Sequence, residues 1–415
     1  MVKRASKPAL VLLFVLAAVP AVAAPVTVMW DPNPESDIVS YIVHWGTRPG
    51  IYTNSAKVNG ETTSWVSPDL RGRTYYFAVQ AVNADGLASP FSDEASITVP
   101  GEWRSVMGDF AGTGAADFTV YRRDRGQWLI RGGAPLTFGG AADVPVVGDY
   151  DGDGLCDIAL WRPTTGVWSV LHSSDGYQFG SMLRVQWGRQ SSGDVPVPGD
   201  YDGDGRTDIA VWRRSTGVWY ILTSESEYDT ASPLTLRWGT GPAKDVPVPA
   251  DYDGDGTTDI AVWRATTGTW YVLESTNDFD PGRHLKIQWG RGRQKDIPVP
   301  ADYDGDGSSD IAVWRPGTGN WHILLSSENF SAGASRTIQW GRGSHQDVPV
   351  PADFDGDGSA DMAVWRPATG TWYVLKSSLG LDGSVAVQWG SRTLHDLPAT
   401  GTVPIVVTNP TLAGY

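Results

Sequence analysis

Ala250–Ser275 reads ADYDGDGTTDIAVWRATTGTWYVLES, and this stretch decides the fold. It begins with aspartates at alternate positions, punctuated by glycine, and continues into two short apolar runs separated by a turn. Near-copies open at Asp149, Asp200, Asp302 and Asp353, a spacing of 51 residues. Trp161, Trp212, Trp263, Trp314 and Trp365 keep that interval, as do Trp168, Trp219, Trp270, Trp321 and Trp372. A third series runs through Trp187, Trp238, Trp289 and Trp340 and ends at Trp389, two residues early.

Each unit contains four short runs, in one copy DIAVWR, GTWYVLES, HLKIQWG and KDIPVPADYD. Four strands at a period near 50 predict a propeller blade, and a sheet this small buries its faces only against neighbours. From Asp117 to about Thr400 there are six units. The fold predicted is all-β, a six-bladed propeller, or seven-bladed if leftover runs build a partial blade. TVPIVV after the last unit and WRSVMGD before the first are candidates for closing the ring. The tryptophans are assigned to packing between blades. Arg162, Arg213, Arg264, Arg315 and Arg366, each following a first-series tryptophan, have three open readings: a loop carboxylate, an indole face or a ligand.

The acidic stretch follows D-x-D-x-D-G-x-x-D. Side chains at positions 1, 3 and 5 converge if the chain curls, and glycine at 6 permits the curl. Position 7 offers its carbonyl, and the aspartate at 9 closes the ring. The candidate ligand sets are Asp149, Asp151, Asp153, Leu155 and Asp157; Asp200, Asp202, Asp204, Arg206 and Asp208; Asp251, Asp253, Asp255, Thr257 and Asp259; Asp302, Asp304, Asp306, Ser308 and Asp310; and Asp353, Asp355, Asp357, Ser359 and Asp361. Oxygen ligands alone select a hard cation, and the crowded, flexible cage suits Ca²⁺ better than Mg²⁺. No cysteine or histidine is placed in the sequence to recruit zinc or copper. The formal charge is −15, which five Ca²⁺ would bring to −5. In the first unit, Asp109 and Asp117 remain while Ala111 and Thr113 replace the middle carboxylates, so this loop is expected to bind weakly or not at all.

Upstream, residues 1–24 carry a basic start and an apolar run ending in small residues, read as a cleaved signal peptide, with no transmembrane segment left after cleavage. Residues 25–99 alternate apolar and polar over short runs, which predicts a β-sandwich. Cys156 is the single cysteine, so no intramolecular disulfide staples the chain. The acidic excess argues against a nucleic-acid partner. There is no H-E-x-x-H, G-x-S-x-G or P-loop, so no enzyme is expected.

Two resemblances follow from these residues. Trp30, Tyr41, Leu70, Tyr75, Phe77, Val79 and Ala81 resemble the core pattern of a fibronectin type III domain. A leader cut near Ala24 leaves no residues for that family's first strand and opens an edge. The units across 103–408, typified by ADYDGDGTTDIAVWR, resemble FG-GAP or VCBS repeats, the calcium-loop blades of integrin α-subunits. That resemblance implies that the loop aspartates bind calcium and that the protein is secreted or on the cell surface, serving adhesion or recognition of glycan or protein. The alternatives are a structural subunit self-assembling through the sandwich edge, and a calcium-dependent polysaccharide lyase.

Overall fold

The computed structural model describes residues 10–12, 24–46, 50, 52, 54–70, 74–98, 108–378, 383–391 and 396–400. The chain divides into two compact units, Met1–Trp103 and Arg104–Tyr415.

The first unit is a fibronectin type III-like sandwich. β1 (Leu10–Leu12), β2 (Ala24–Trp30), β3 (Ile38–Gly46), β4 (Asn54–Asn59), β5 (Ser64–Leu70), β6 (Thr74–Asn83) and β7 (Ala95–Thr98) form two sheets, ordered β1-β2-β5 and β4-β3-β6-β7. The alternation along β3 and β6 turns Tyr41, Val43, Trp45, Phe77, Val79 and Ala81 inward against Val26, Val28 and Trp30. Trp30 and Tyr41 pack with ring centroids 5.2 Å apart. Tyr75 packs at the margin, and the Leu70 side chain lies outside the described residues. In the uncut chain the edge of β2 is paired, by residues of the proposed leader: Leu10, Val11 and Leu12 lie opposite Trp30, Met29 and Val28. The remainder of the proposed leader is outside the described residues, as is the joint at 99–107.

The described residues of the second unit form six four-stranded antiparallel sheets, a six-bladed propeller. The fourth blade illustrates the pattern, with strands Asp245–Pro247, Ile260–Arg264, Thr269–Leu273 and Leu285–Gln288. Along IAVWR both faces are buried, because a blade has a neighbour on each side. Ile260 and Val262 pack on the preceding blade, with Trp212 and Trp219. Ala261 and Trp263 pack on the following one, with Ile311 and Val313. The period of two persists, but it separates small-plus-tryptophan from branched aliphatic rather than polar from apolar.

Sequence unit and blade are offset by one strand. KDIPVP, read as the end of a unit, supplies the first strand of the next blade. One strand is therefore left over at the chain's far end, and it closes the ring. Asp396–Pro398 pairs antiparallel with Thr119–Arg122, completing the first blade beside Gln127–Ile130 and Leu136–Thr137. This is the closing strand, upstream of TVPIVV; TVPIVV and the first five residues of WRSVMGD lie outside the described residues, and its Gly108 and Asp109 belong to the first acidic loop.

The three tryptophan series divide the work. Trp212 and Trp219 donate their indole N–H groups to one acceptor, Trp238 O, both at 3.0 Å. The Trp238 indole reaches across to Tyr271 O of the next blade at 3.0 Å. Trp187, Trp289 and Trp340 repeat that clamp, and Trp389 makes it to Leu129 O across the closure at 2.9 Å. In the short last unit, Trp372 keeps its bond to Trp389 O but Trp365 Nε1 has no partner. Among the described residues no helix is long and apolar enough to cross a membrane.

Candidate metal centres

Each acidic loop joins the first strand of a blade to the second. In the loop from Asp200 to Asp208, Asp200 Oδ1 accepts from Gly203 N at 2.7 Å, and its Oδ2 from Gly205 N at 2.8 Å. Gly203 and Gly205 lie at φ 76° and 92°, which a side chain would resist. Asp208 is fully buried. Its Oδ2 accepts from Tyr201 N and its Oδ1 from Ser224 N, both at 2.7 Å, fastening the loop to the end of the third strand. Asp202 and Asp204 make looser contacts: Asp202 Oδ2 accepts from Glu225 N at 3.3 Å and Asp204 Oδ2 from Ser224 Oγ at 2.8 Å. The other four complete loops repeat these bonds from the Asp149, Asp251, Asp302 and Asp353 positions.

Carboxylate oxygens converge as the spacing requires. Asp149, Asp151 and Asp153, then Asp200, Asp202 and Asp208, then Asp251, Asp253 and Asp255, and Asp302, Asp304 and Asp306 each bring oxygens within 4.8 Å of one another. Leu155, Arg206, Thr257, Ser308 and Ser359 stand at position 7; the carbonyls of Ser308 and Ser359 accept from Ser326 Oγ and Ser377 Oγ at 3.4 and 3.5 Å. Burial pushes Asp149, Asp202 and Asp251 up to about 7 and Asp259 up to about 9, with neighbouring carboxylates adding to the rise at Asp202, Asp251 and Asp259. Asp310 and Asp361 rise to about 6, again by burial. Asp304 Oδ1 and Asp355 Oδ1 are buried without a hydrogen-bond donor. Such crowding of buried oxygens fits a divalent cation.

The loops differ in what stands beside them. His172 Nδ1 lies 3.3 Å from Asp157 Oδ2 and 3.6 Å from Asp151 Oδ2, so one loop has a histidine beside its carboxylates, where the sequence placed none to recruit a metal. The histidine follows a strand, distant in sequence, and the hairpin folds it over. Arg206 Nη2 bonds Asp204 Oδ2 at 2.7 Å, and Lys376 Nζ sits 3.8 Å from Asp355 Oδ2. Cys156, at position 8 of its loop, is buried, and burial pushes its thiol up, out of reach of nucleophilic chemistry.

The loops also form a chain of their own. Thr207 N donates to Asp149 O, Thr258 N to Asp200 O, Ser309 N to Asp251 O and Ala360 N to Asp302 O, all at 2.6 Å. Cys156 N donates to Asp109 O at 2.7 Å, and Ala116 N to Asp353 O at 2.6 Å, so the circuit is complete. Between loops sit aromatic residues that the sequence reading missed. Tyr177, Tyr228, Phe279 and Phe330 adopt φ of 54° to 62°. Tyr228 Oη donates to Tyr150 O at 3.1 Å and Thr207 O at 3.0 Å, bridging two loops. They recur every 51 residues, so their signal was present.

At the opposite end of the blades the open question of the arginines is settled. Arg213 Nε and Nη2 donate to Asp194 at 2.7 and 3.0 Å, and the guanidinium lies 4.6 Å from the Tyr220 centroid. Asp194 belongs to the first strand, not to a metal loop. The same pairing joins Arg162 to Asp143, Arg264 to Asp245, Arg315 to Asp296, Arg366 to Asp347 and, across the closure, Arg122 to Asp396. Among the described residues no cluster with catalytic geometry accompanies them.

Residues 17–98 match the fibronectin type III domain family, and residues 200–262 and 302–364 match the FG-GAP-like repeat family. No curated protein matches the chain. Among solved structures, a streptogramin B lyase is 8% identical, covering 77% of this chain and 80% of that one with a TM-score of 0.39. A myokine is 21% identical over 23% of this chain and 98% of its own, and a fibronectin type III domain of human collagen XX is 18% identical over 24% and 99%, both with TM-scores of 0.19.

Proposed function

We propose that this chain, a fibronectin type III-like domain followed by FG-GAP-like repeats, is an exported recognition or adhesion protein whose ring is stapled by calcium. The five complete loops each take one Ca²⁺, with the aspartates at positions 1, 3, 5 and 9 and the carbonyl at 7 as ligands. The observation that carries this is the convergence of carboxylate oxygens in the loops, two of which, Asp304 Oδ1 and Asp355 Oδ1, are buried without a donor. Bound to the folded state alone, each ion stabilises it by linkage. The mature protein consists of a sandwich over 25–99 and a propeller over 103–408, with glycan or protein bound on a ring face.

Calorimetric titration of the full chain with Ca²⁺, alongside melts in calcium and in chelator, tests the reading. About five ions and a melting shift above about 10 °C are expected. No uptake and an unchanged melt would sink the calcium assignment.

A second reading has an observation in its favour. The strand that covers β2 comes from the stretch read as leader. Once that leader is removed, the β2 edge accepts a strand from a neighbour, and the protein assembles. Light scattering of the chain from residue 25 distinguishes assembly from a monomer.

A further inference from the structure

The ring has two chemically opposite ends. The metal loops and the connections between third and fourth strands share one end, as the Ser224–Asp204 bond shows. Hairpin turns such as Arg213–Val218, and the connectors to the next blade, share the other, as the bond from Gly241 N to Arg214 O shows. The chain's acidity is concentrated at the first end.

At the second end, exposed cations gather on the fourth and fifth blades: Arg291, Arg293 and Lys295 in one connector and Arg342 in the next. The acids of those connectors, Asp296 and Asp347, are buried and already committed to Arg315 and Arg366. An open pocket of about 420 Å³ has Lys295 and Arg342 on its rim, with Pro316, Thr318, Gln339 and Ser344 between them. Gln339 Nε2 is anchored to Thr318 O at 3.1 Å. One blade earlier Lys244, Arg291 and Gln288 hold the equivalent positions, with Ala265 and Arg293 in place of Pro316 and Ser344, and Gln288 Nε2 bonds Thr267 O at 3.3 Å. One blade further back, Gly193 and Thr240 replace the two cations, and one blade ahead Gln346 replaces the lysine.

The lysines are held there against backbone preference. Lys244 and Lys295 both lie at φ 56°, a region costly for a side-chain-bearing residue, while the equivalent Gly193, at φ 74°, adopts it freely. Gln346 holds the same conformation at φ 57° one blade ahead, so the connector sets the backbone and the two lysines add charge to it.

We propose that these two adjacent notches bind an anionic polysaccharide bearing uronate carboxylates, successive carboxylates seating between Lys244 and Arg291 and between Lys295 and Arg342. This rests on the recognition reading of the ring. Arginine grips a carboxylate through two N–H groups, and the glutamine and threonine polar atoms suit sugar hydroxyls between charges. Two notches one blade apart favour a polymer over a single sugar by raising effective concentration. None of the exposed large hydrophobics, Val39, Val66, Phe91, Phe179 and Leu234, lies in these connectors, so the notches hold neither a stacking platform for bases nor a wedge for a bilayer.

The probe is a hyaluronan decasaccharide, with the full chain in calcium. Binding is expected, weakened as salt rises from about 0.05 to about 0.5 M. Lys295→Glu with Arg342→Glu, and separately Lys244→Glu with Arg291→Glu, should each weaken it about tenfold with the melt unchanged, and the quadruple variant should abolish it. Neutral dextran should not compete. Absence of binding at low salt, variants that bind like the wild type, or tighter binding to DNA or to phosphatidylserine vesicles would each overturn the assignment. If hyaluronan fails while the wild type holds another extracellular glycan or protein, the notches are wrong and the recognition reading stands. If the melt ignores calcium while the reversals still abolish hyaluronan binding, the calcium reading fails and the notches stand.

Discussion

Two loops of the ring have the same path and different chemistry. From Asp109 to Asp117 the middle carboxylates are replaced by Ala111 and Thr113, yet Asp109 still accepts from Gly112 N and Gly114 N, and Asp117 from Phe110 N. From Asp200 to Asp208 those bonds recur, with Asp202 and Asp204 added. Positions 1 and 9 are thus backbone anchors in both. Position 5 also accepts from the turn, Asp204 Oδ1 from Arg206 N at 2.8 Å, and position 3 does so weakly, Asp202 Oδ1 from Asp204 N at 3.2 Å; the first loop forms without either. The difference separates what builds the loop from what charges it.

The largest effect should come from an anchor. Asp208→Ala leaves two buried N–H groups without an acceptor, at a cost of about 3 kcal/mol in chelator, and the loss in calcium should be larger because a proposed ligand goes with it. Asp117→Ala should cost the same order while leaving the calcium count unchanged, and denaturant melts beside a calcium titration check both. A count that falls with Asp117→Ala would break the comparison.

Next is the pH dependence of the empty protein. The folded-state values of Asp149, Asp202, Asp251 and Asp259, at about 7 to 9, lie above the ordinary carboxylate value of about 3.9. A raised folded value stabilises below the unfolded value and is lost as pH climbs through the folded one. In chelator the melting temperature should therefore fall from about pH 4 to about pH 9, most of the fall coming below about pH 7, where three of the four groups finish titrating. With calcium holding the carboxylates ionised, the fall should vanish, so the calcium increment grows with pH. A chelator melt that rises over this window would refute the crowding argument.

Asp202→Ala should be milder. It should remove one ion, lower the calcium melt by about 2–4 °C, and leave the chelator melt unchanged or slightly higher by relieving repulsion. The smallest effect is a gain. Ala111→Asp with Thr113→Asp should add a sixth ion to the loop at Asp109, read by calorimetry as one more equivalent; no added ion would mean that the anchors alone do not shape a cage.

Much of this was legible in the sequence, because registered repeats at 51 residues expose every packing role at once. The tryptophan series announced the blades, and the alternating aspartates announced the loops. What stayed hidden depended on contacts between units. The offset between sequence unit and blade is invisible to periodicity, since any starting point gives the same period. The arginines could not be assigned, because Asp194 precedes Arg213 by 19 residues and pairs with it only once the strands align. His172 was missed because a hairpin, not spacing, brings it to Asp157. Tyr177, Tyr228, Phe279 and Phe330 are periodic too, but their left-handed backbone and their place between loops exist only in the folded connections.

The closing strand has a kinetic consequence. Asp396–Pro398 meets Thr119–Arg122, and Thr400 Oγ1 donates to Asp117 O at 2.6 Å across 283 residues of chain. Until that strand docks, the first blade has three strands, and the Trp389 indole cannot reach Leu129 O. Five blades can zip by contacts between neighbours, but the circle shuts in one long-range event that carries the largest loop-closure entropy in the molecule. The seam is therefore the last part to form and the first to breathe. A circular permutant cut between two complete blades, with 108 and 400 joined, would turn this latch into a covalent hinge.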